Sequence, residues 1–248
     1  MASPSPRDLA EYLESRKFTV LFSGGKDSLA ALLWVLNNVK SEKWNILYVE
    51  VTGNTSPLCT GYVRGIAKEL GIDNKLIIAK REDLDFFNGL KRWGIPLIGE
   101  YRWCLYQFKI KVFKKYAYPV HVTGIRHADS WRRRRVKTIE YRSLSDAVIV
   151  NPLLEWSKNQ VLKYINRHRL PLNPCYDIYG HSGNCMFCPY HNELAVIKTL
   201  LDPYWRQKIT EVLQQMKAPY SKRVAEKWLK YARRIENSLT KYIETKTP

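Results

Sequence analysis

A glycine-containing hexapeptide, Ser23-Gly-Gly-Lys-Asp-Ser28, constrains the fold more than any other segment of the sequence. The apolar run Phe18–Phe22 precedes it and favours a strand, and the run Leu29–Leu36 follows it and favours a helix. Two adjacent glycines allow the backbone to approach a ligand closely, and the N–H groups at the start of the helix attract an anion. The hexapeptide therefore predicts a pyrophosphate-binding loop, named the phosphate loop below. Its glycine spacing differs from that of a Walker loop and of a dinucleotide-binding Gly-x-Gly-x-x-Gly motif.

Further strands are predicted by short apolar runs along the chain, at Trp44–Val51, Lys75–Ala79, Pro119–Thr123 and Ala147–Val150. Five strands that alternate with helical segments predict an α/β fold with a doubly wound, mostly parallel, Rossmann-like sheet. Between these strands, helices are predicted around Pro57–Leu70 and Trp103–Tyr116. Beyond the strands, amphipathic helices are predicted at Glu193–Leu201, Tyr204–Met216 and Ser221–Ile243.

Three regions follow from this order of segments. Residues 1–172 form an α/β nucleotide-binding domain. Residues 173–190, named the cysteine loop below, are a Gly-, Cys- and Pro-rich segment that closes the site. Residues 191–248 form a basic helical C-terminal extension. The hydrophobic share of 45% excludes intrinsic disorder. No apolar run approaches the ~20 residues of a membrane span, so we expect a soluble cytoplasmic protein with no membrane partner.

Positive charge is concentrated in the middle and at the end of the chain. The sequence holds 41 Lys and Arg against 23 Asp and Glu, a net charge of +18. Counted along the same sequence, residues 1–79 carry +1, residues 80–142 carry +10 and residues 157–248 carry +9. A field of this size favours polyanions such as nucleic acid or a highly charged nucleotide. A merely Lys- and Arg-rich solvated surface is the alternative interpretation.

Ordered motifs along the chain resemble one family. The phosphate loop looks like the PP-loop of the adenine nucleotide α-hydrolase superfamily. Residues 18–189 resemble the phosphoadenosine phosphosulfate (PAPS) reductase family within it. The motifs that carry the resemblance after the phosphate loop are Val51-Thr-Gly53, Arg102-Trp-Cys104, Lys109-Ile-Lys111, Thr123-Gly-Ile-Arg126, Asp129-Ser130, Asn151-Pro-Leu-Leu-Glu-Trp156, Leu170-Pro-Leu-Asn-Pro-Cys-Tyr176 and Gly183-Asn-Cys-Met-Phe-Cys-Pro189.

This resemblance implies a nucleotide site at the ends of the strands. The cofactor is expected to be ATP, accompanied by Mg²⁺, or another adenine nucleotide. The implied nucleotide contacts are Ser23, Gly24, Gly25, Lys26, Asp27, Ser28, Thr52, Gly53, Thr123, Gly124, Arg126 and Ser130. Lys26, Asp27 and Arg126 are the expected catalytic residues, because cations stabilise charge that develops on leaving phosphates.

The cysteines predict a metal site. Cys185 and Cys188 form a C-x-x-C pair, which suits a redox disulfide, half of a zinc site or half of an iron–sulfur site. The resemblance implies that Cys104 and Cys175 complete a set of four thiolates, with a [4Fe–4S] cluster favoured over Zn²⁺. The sequence departs from the tandem Cys-Cys of some family members, since Trp103 occupies one of those two positions. Cys59 is expected to be structural.

The resemblance leaves three functions open. The sequence has no cysteine after Cys188, where reductases of the family carry a nucleophilic one. The leading prediction is therefore an enzyme that cleaves ATP to AMP and pyrophosphate and activates a substrate, such as tRNA or DNA, for sulfur transfer from a donor protein. The second is a PAPS or adenosine phosphosulfate reductase that uses an external, thioredoxin-like thiol. The third is a nucleic-acid-binding protein with a structural zinc.

Two further segments have more than one interpretation. The four arginines that follow Trp131 suit phosphate binding in the site, polyanion docking or simple solvation. In the last predicted helix, basic residues alternate with Trp228 and Tyr231, which favours either nucleic-acid contact or core packing at helical spacing. His181 and His191 are expected to be solvated loop histidines, with metal ligation as the alternative.

Overall fold

A computed structural model describes residues 4–96, 102–216 and 222–244. Within these residues, a single sheet has six strands in the spatial order β3-β2-β1-β4-β6-β5. The strands are β1 (Phe18–Leu21), β2 (Trp44–Glu50), β3 (Leu76–Lys80), β4 (Val120–Val122), β5 (Ile139–Arg142) and β6 (Ala147–Val150). The five predicted strands are all present, and they are parallel to one another.

The sheet has one strand more than the five predicted, and this additional strand is β5. It pairs antiparallel with β6, with Ile139 opposite Val150 and Arg142 opposite Ala147. Its sequence, Ile-Glu-Tyr-Arg, has no continuous apolar run, and its alternation of apolar and charged residues extends over only four positions. An edge strand with only one neighbour needs little apolar burial, so its pattern is weak. The fold class is confirmed: the protein is an α/β domain with a doubly wound, mostly parallel sheet.

Helices connect the strands and continue beyond them. The helices of the described chain are α1 (Pro6–Glu14), α2 (Lys26–Asn38), α3 (Pro57–Glu69), α4 (Phe86–Trp93), α5 (Trp103–Leu105), α6 (Lys111–Tyr116), α7 (Lys158–Arg167), α8 (Cys175–Tyr179), α9 (Glu193–Leu201), α10 (Pro203–Gln215) and α11 (Lys222–Glu244). A π-helical turn over Tyr106–Ile110 joins α5 to α6. The C-terminal helices match their predicted positions within two residues. The predicted start at Ser221, and the domain termini 1–3 and 245–248, lie outside the described residues.

The core lies between the sheet and the helices that cover its faces. Phe18 and Val20 of β1 are fully buried, and α2 buries its residues from Ser28 to Val35 because this stretch is apolar on most faces. In α11, Trp228 is 1% exposed and contacts the Phe187 ring at a centroid distance of 4.8 Å. Trp228 therefore packs in the core rather than serving as a surface aromatic. No helix in the described part of the chain combines the length and apolar character that crossing a bilayer requires.

Candidate functional site

A crevice at the carboxyl ends of β1 and β4 is set by the topology of the sheet. From β1 the chain crosses to β2 on one side, and it later returns to β4 on the other side. In open α/β sheets such a switch point is where ligands bind. The phosphate loop follows β1, and the segment Thr123–Arg126 follows β4. Both predicted binding segments therefore border the same crevice.

The backbone of the phosphate loop requires a glycine at position 24. Gly24 has a φ of +75°, and a Cβ added there would lie 2.8 Å from Cys59 Sγ. The loop is also closed by its own serines. Ser28 Oγ accepts a hydrogen bond from the Ser23 N–H at 3.2 Å and donates one to the Gly25 carbonyl at 2.9 Å. The first turn of α2 starts at Lys26, where backbone N–H groups lack intrahelical acceptors. This geometry suits an anion such as a pyrophosphate group.

Gly124 brings the end of β4 against the first turn of α2. A Cβ added at Gly124 would lie 2.3 Å from the Asp27 carbonyl oxygen and 2.8 Å from the Ser28 nitrogen. Such contacts are with backbone and cannot be relieved by rotating a side chain. The close approach therefore fixes the spacing between the phosphate loop and the residues that follow β4.

A chain of ion pairs crosses the crevice. Lys26 Nζ lies 2.6 Å from Asp27 Oδ2, and Arg126 Nε lies 2.9 Å from Asp27 Oδ1. Arg126 also donates to Asp129 Oδ1 at 2.5 Å and to the Trp156 carbonyl at 3.1 Å. Arg126 is only 3% exposed. The three predicted catalytic residues are thus in direct contact, with Asp27 between the two cations.

Two atoms of these ion pairs lack a hydrogen bond within the described structure. Asp27 Oδ1 and Arg126 Nε are buried, and although they are in ionic contact, neither makes a hydrogen bond of acceptable geometry within the described structure. Buried polar atoms are normally hydrogen-bonded. These atoms, beside a loop with no room for a Cβ at Gly24, fit a ligand that brings charged oxygens or a cation into the crevice. The residues present therefore fit the phosphates of a nucleotide on the loop.

Asn173 and Tyr176 also hold the phosphate loop, and sequence reasoning did not assign them this role. Asn173 is 1% exposed, and its Nδ2 donates to the Gly24 carbonyl at 2.9 Å and to the Ser182 carbonyl at 2.8 Å. The Tyr176 hydroxyl accepts from the Lys26 N–H at 3.1 Å. Both residues belong to the motif Leu170–Tyr176, which is part of the family resemblance. The position of this motif after the last strand could have indicated that it lies beside the phosphate loop.

Other predicted nucleotide contacts have structural partners of their own. Thr52 Oγ1 donates to the Arg81 carbonyl. Gly53 has a φ of +80°, and its carbonyl accepts from Lys208 Nζ at 3.1 Å. Thr123 Oγ1 donates to Asn151 Oδ1 at 2.5 Å. Ser130 is exposed and caps a short 3₁₀-helix over Trp131–Arg135. Nucleotide contact by these residues stays a prediction.

Cys104 and Cys188 both interact electrostatically with Cys185. Burial, with the neighbouring Cys185, raises the pKa of Cys104 to about 11 and that of Cys188 to about 12. Lys109 reaches this region and donates to Asn184 Oδ1 at 3.0 Å. Asn54, which is fully buried, anchors the same loop by accepting from the Phe187 N–H at 2.8 Å and donating to the Phe187 carbonyl at 3.0 Å.

Cys175 lies in a different environment from the other three cysteines predicted to be metal ligands. Burial, together with Cys59, raises its pKa to about 11. Its N–H donates to Asn173 Oδ1 at 2.9 Å, and a Cβ at Gly183 would lie 2.7 Å from its Sγ. Among the described residues, no group of three or more His, Cys, Asp or Glu side chains is arranged to hold a metal ion. Cys104, Cys175, Cys185 and Cys188 as placed therefore do not fit a cluster or a zinc ion, and no step below is assigned to one.

The two histidines expected to be solvated are instead partly buried, and they stack on each other beside this region. The ring centroids of His181 and His191 are 4.1 Å apart. Burial lowers the pKa of His181 to about 4 and, together with His181, that of His191 to about 3. Both rings are therefore neutral at pH 7. His181 Nδ1 accepts from the Gly183 N–H at 3.1 Å, so His181 supports the turn before the C-x-x-C pair.

Comparisons with known proteins agree with these motifs. Residues 17–189 match the family model of the phosphoadenosine phosphosulfate reductase domain. An uncharacterized protein of Methanocaldococcus jannaschii is 27% identical over 220 residues, which are 85% of this chain and 44% of that protein. An adenosine 5′-phosphosulfate reductase of Bacillus cereus is 33% identical over 67 residues, 27% of this chain and 29% of that protein. The chain spans less than half the length of these curated relatives.

Solved structures with a similar backbone include two from other organisms. A PAPS reductase of Candida auris, in a phosphate complex, has a TM-score of 0.49 and 21% identity, and covers 70% of this chain and 84% of its own. A U34-tRNA thiolase of Methanococcus maripaludis with its [4Fe–4S] cluster has a TM-score of 0.44 and 15% identity, and covers 93% of this chain and 78% of its own.

Proposed function

Since the chain belongs to the phosphoadenosine phosphosulfate reductase domain family, we propose that it binds ATP in the crevice between β1 and β4 and cleaves it to AMP and pyrophosphate. The released energy activates an acceptor for sulfur transfer. One observation carries the proposal: Asp27 lies between Lys26 and the buried Arg126, at the mouth of the phosphate loop. Two cations are thereby placed where negative charge would develop on a leaving pyrophosphate.

The reaction assigns separate roles to the residues of the crevice. The backbone N–H groups at the start of α2 and the hydroxyls of Ser23 and Ser28 hold the phosphates. The acceptor oxygen attacks the α-phosphorus, the bond to the bridging oxygen breaks, and pyrophosphate leaves with the electron pair. Lys26 and Arg126 stabilise that charge. Mg²⁺ is expected to accompany ATP, and Asp27 offers it a carboxylate oxygen. An external donor then supplies the sulfur that displaces AMP.

A polyanionic acceptor, such as tRNA or DNA, fits the distribution of charge. Residues 1–79, which include the phosphate loop, carry a net charge of +1, whereas residues 80–142 carry +10. ATP binding on the loop does not need the larger charge. An extended anionic substrate, held outside the loop, would use it.

The test is the identity of the products. Purified protein is incubated with Mg²⁺, ATP and sulfide as the sulfur donor, with and without total tRNA, and AMP and pyrophosphate are measured. We expect both products, with Lys26→Ala and Arg126→Ala reducing turnover by about 10²–10³-fold. Lys40→Ala, which removes an exposed lysine just beyond the other end of α2, should have no effect. Wild-type protein that forms no AMP under any of these conditions would contradict the proposal.

A second function is supported by the relative in Bacillus cereus, which is an adenosine 5′-phosphosulfate reductase. The same crevice would then hold a sulfonucleotide, and an external dithiol would be oxidised as sulfite leaves. Sulfite release from adenosine phosphosulfate or PAPS with a thioredoxin-like reductant, in the absence of ATP cleavage, would establish this function instead.

A further inference from the structure

An exposed tryptophan lies beside the crevice. Trp131 begins the 3₁₀-helix Trp131–Arg135 and is 73% exposed, more than any other large hydrophobic side chain of the described residues. Tryptophan is usually well buried, because its indole ring removes a large apolar area from water. Among the described residues, Trp131 is not packed against the buried core. An indole ring presented in this way leaves the face away from the Arg132 guanidinium available to a flat partner.

Unpaired positive charge surrounds this ring. The Arg132 guanidinium lies 5.3 Å from the centroid of the Trp131 ring. Arg132, Arg134 and Arg135 are exposed, and within the described structure none of them contacts a carboxylate. In a 3₁₀-helix, side chains three residues apart lie on the same side. Trp131 and Arg134 therefore share one side of the short helix, and Arg132 and Arg135 share another.

The remaining arginine ties this helix to the nucleotide crevice. Arg133 pairs with Asp129, and the other oxygen of that carboxylate accepts from Arg126. Arg126 in turn contacts Asp27 of the phosphate loop. The exposed ring and its free arginines are thus held at a fixed position next to the predicted reaction centre.

We propose that Trp131, Arg132, Arg134 and Arg135 form a docking platform for an unpaired segment of nucleic acid. A base stacks on the indole of Trp131, and the three arginines contact the flanking phosphates. Single strands suit this surface better than duplexes, because an unpaired base exposes the face that stacks. The identification of the bound strand as the acceptor rests on the proposed function, whereas binding itself needs no turnover.

Binding of a labelled oligonucleotide tests the platform. The probes are single-stranded RNA and DNA of about twelve nucleotides, within the usual site size, and a duplex of the same length. Trp131→Ala should weaken single-strand binding by roughly tenfold, the effect of losing one stacked base, and Trp131→Phe should retain most of it. Arg132→Ala with Arg134→Ala should lower the salt dependence, by about 0.7 in the logarithmic slope for each phosphate contact removed. Comparing RNA with DNA shows which of the two the platform prefers.

A second basic surface supplies the matched control. Arg64, Lys80 and Lys111 are exposed and line a cavity of about 700 Å³ beside β3, at the other edge of the sheet from β5. Their triple replacement by alanine removes three positive charges, one more than the platform double variant, but no ring. It should leave most single-strand binding intact. A loss equal to that of the platform variants, unchanged binding by Trp131→Ala, equal affinity for duplex, or no binding by the wild-type protein would each overturn the proposal.

The same samples separate this proposal from the proposed function. AMP formation from ATP is measured without nucleic acid, where water replaces the acceptor as the nucleophile that attacks the α-phosphorus. Trp131→Ala should retain this activity because Trp131 has no place in the phosphate site. If the oligonucleotide binds through Trp131 but ATP is not cleaved, the proposed function fails and the platform stands. If ATP is cleaved but Trp131→Ala changes neither binding nor stimulation by nucleic acid, the platform fails and the function stands.

Discussion

The phosphate loop and the cysteine loop meet at Asn173 but differ in how their polar groups are compensated. At the phosphate loop, Asp27 forms ion pairs with both Lys26 and Arg126 across the crevice. In the cysteine loop, burial raises the thiol pKa of Cys175 and Cys188, and the described residues assemble no metal centre. A site contained in one strand, turn and helix is set by local geometry. A site that needs thiols from three separate segments depends on how those segments pack.

The largest expected effect comes from removing the cation at the centre of the first region. Arg126→Ala would leave Asp27 and Asp129 without their shared partner, and the Arg126 side chain is only 4% exposed. Breaking a buried ion pair by removing one partner costs about 3–5 kcal/mol. We expect the free energy of unfolding in denaturant to fall by this amount. Arg81→Ala is the control, since the side chain of its partner Asp83 is 70% exposed, and it should cost about 1 kcal/mol or less. Equal losses would contradict the expectation that breaking the buried ion pairs of Arg126 costs more than breaking the more exposed pair of Arg81 with Asp83.

A slightly smaller effect is expected from widening the contact between β4 and α2. Gly124→Ala introduces a Cβ at 2.3 Å from the Asp27 carbonyl oxygen, so the backbone must shift. Overpacking of this kind costs about 1–3 kcal/mol. Both the unfolding free energy and ATP turnover should fall, while the pKa values of Cys104 and Cys188 should stay raised. Gly65→Ala in α3 meets no atom within 4 Å and should stabilise the protein by about 0.5–1 kcal/mol. A Gly124→Ala variant as stable and active as wild type would contradict the close approach.

Acid should act on the cysteine loop rather than on the phosphate loop. Burial lowers the pKa of His181 to about 4 from its ordinary 6.5, so the folded state disfavours the protonated ring. The stabilisation is complete above pH 6.5 and is lost as the pH falls towards 4, by about 3 kcal/mol. Protonation at Nδ1 also removes the acceptor of the Gly183 N–H.

Denaturant unfolding at several pH values measures this loss. His181→Gln should flatten the dependence between pH 6.5 and 4. His168→Gln, a histidine at the end of α7 that contacts Asn37, should not. An unchanged slope in His181→Gln would assign the acid sensitivity to other groups.

Sequence reasoning predicted the first region almost completely and the second only in part. Ser23–Ser28 is contiguous, and a strand, a glycine turn and a helix leave its backbone few alternatives. Arg126 was reached because it follows a strand that ends at the same edge. The grouping of Cys175 with Cys185 and Cys188 stays a prediction, and in the described structure Cys175 packs beside Cys59 and Gly183. Spacing along the chain carries no information about such contacts. Strand β5 was missed for a related reason, since its pairing with β6 rather than its own pattern defines it.

The smallest effect should come from removing the hydrogen bond that joins the cysteine loop to the phosphate loop at the start of α2. Tyr176→Phe removes the hydroxyl that accepts from the Lys26 N–H at 3.1 Å. Loss of one hydrogen bond costs about 1 kcal/mol, and the freed N–H would lie where the nucleotide phosphates bind. We therefore expect a small loss of unfolding free energy together with a change of a few-fold in the KM for ATP. Tyr62→Phe removes a comparable bond, from its hydroxyl to the Pro171 carbonyl at 2.8 Å, away from the phosphate loop. It should show the same loss of stability with an unchanged KM. If both variants alter the KM alike, the hydroxyl of Tyr176 acts only through general packing, and the cysteine loop does not tune the phosphate loop through this bond.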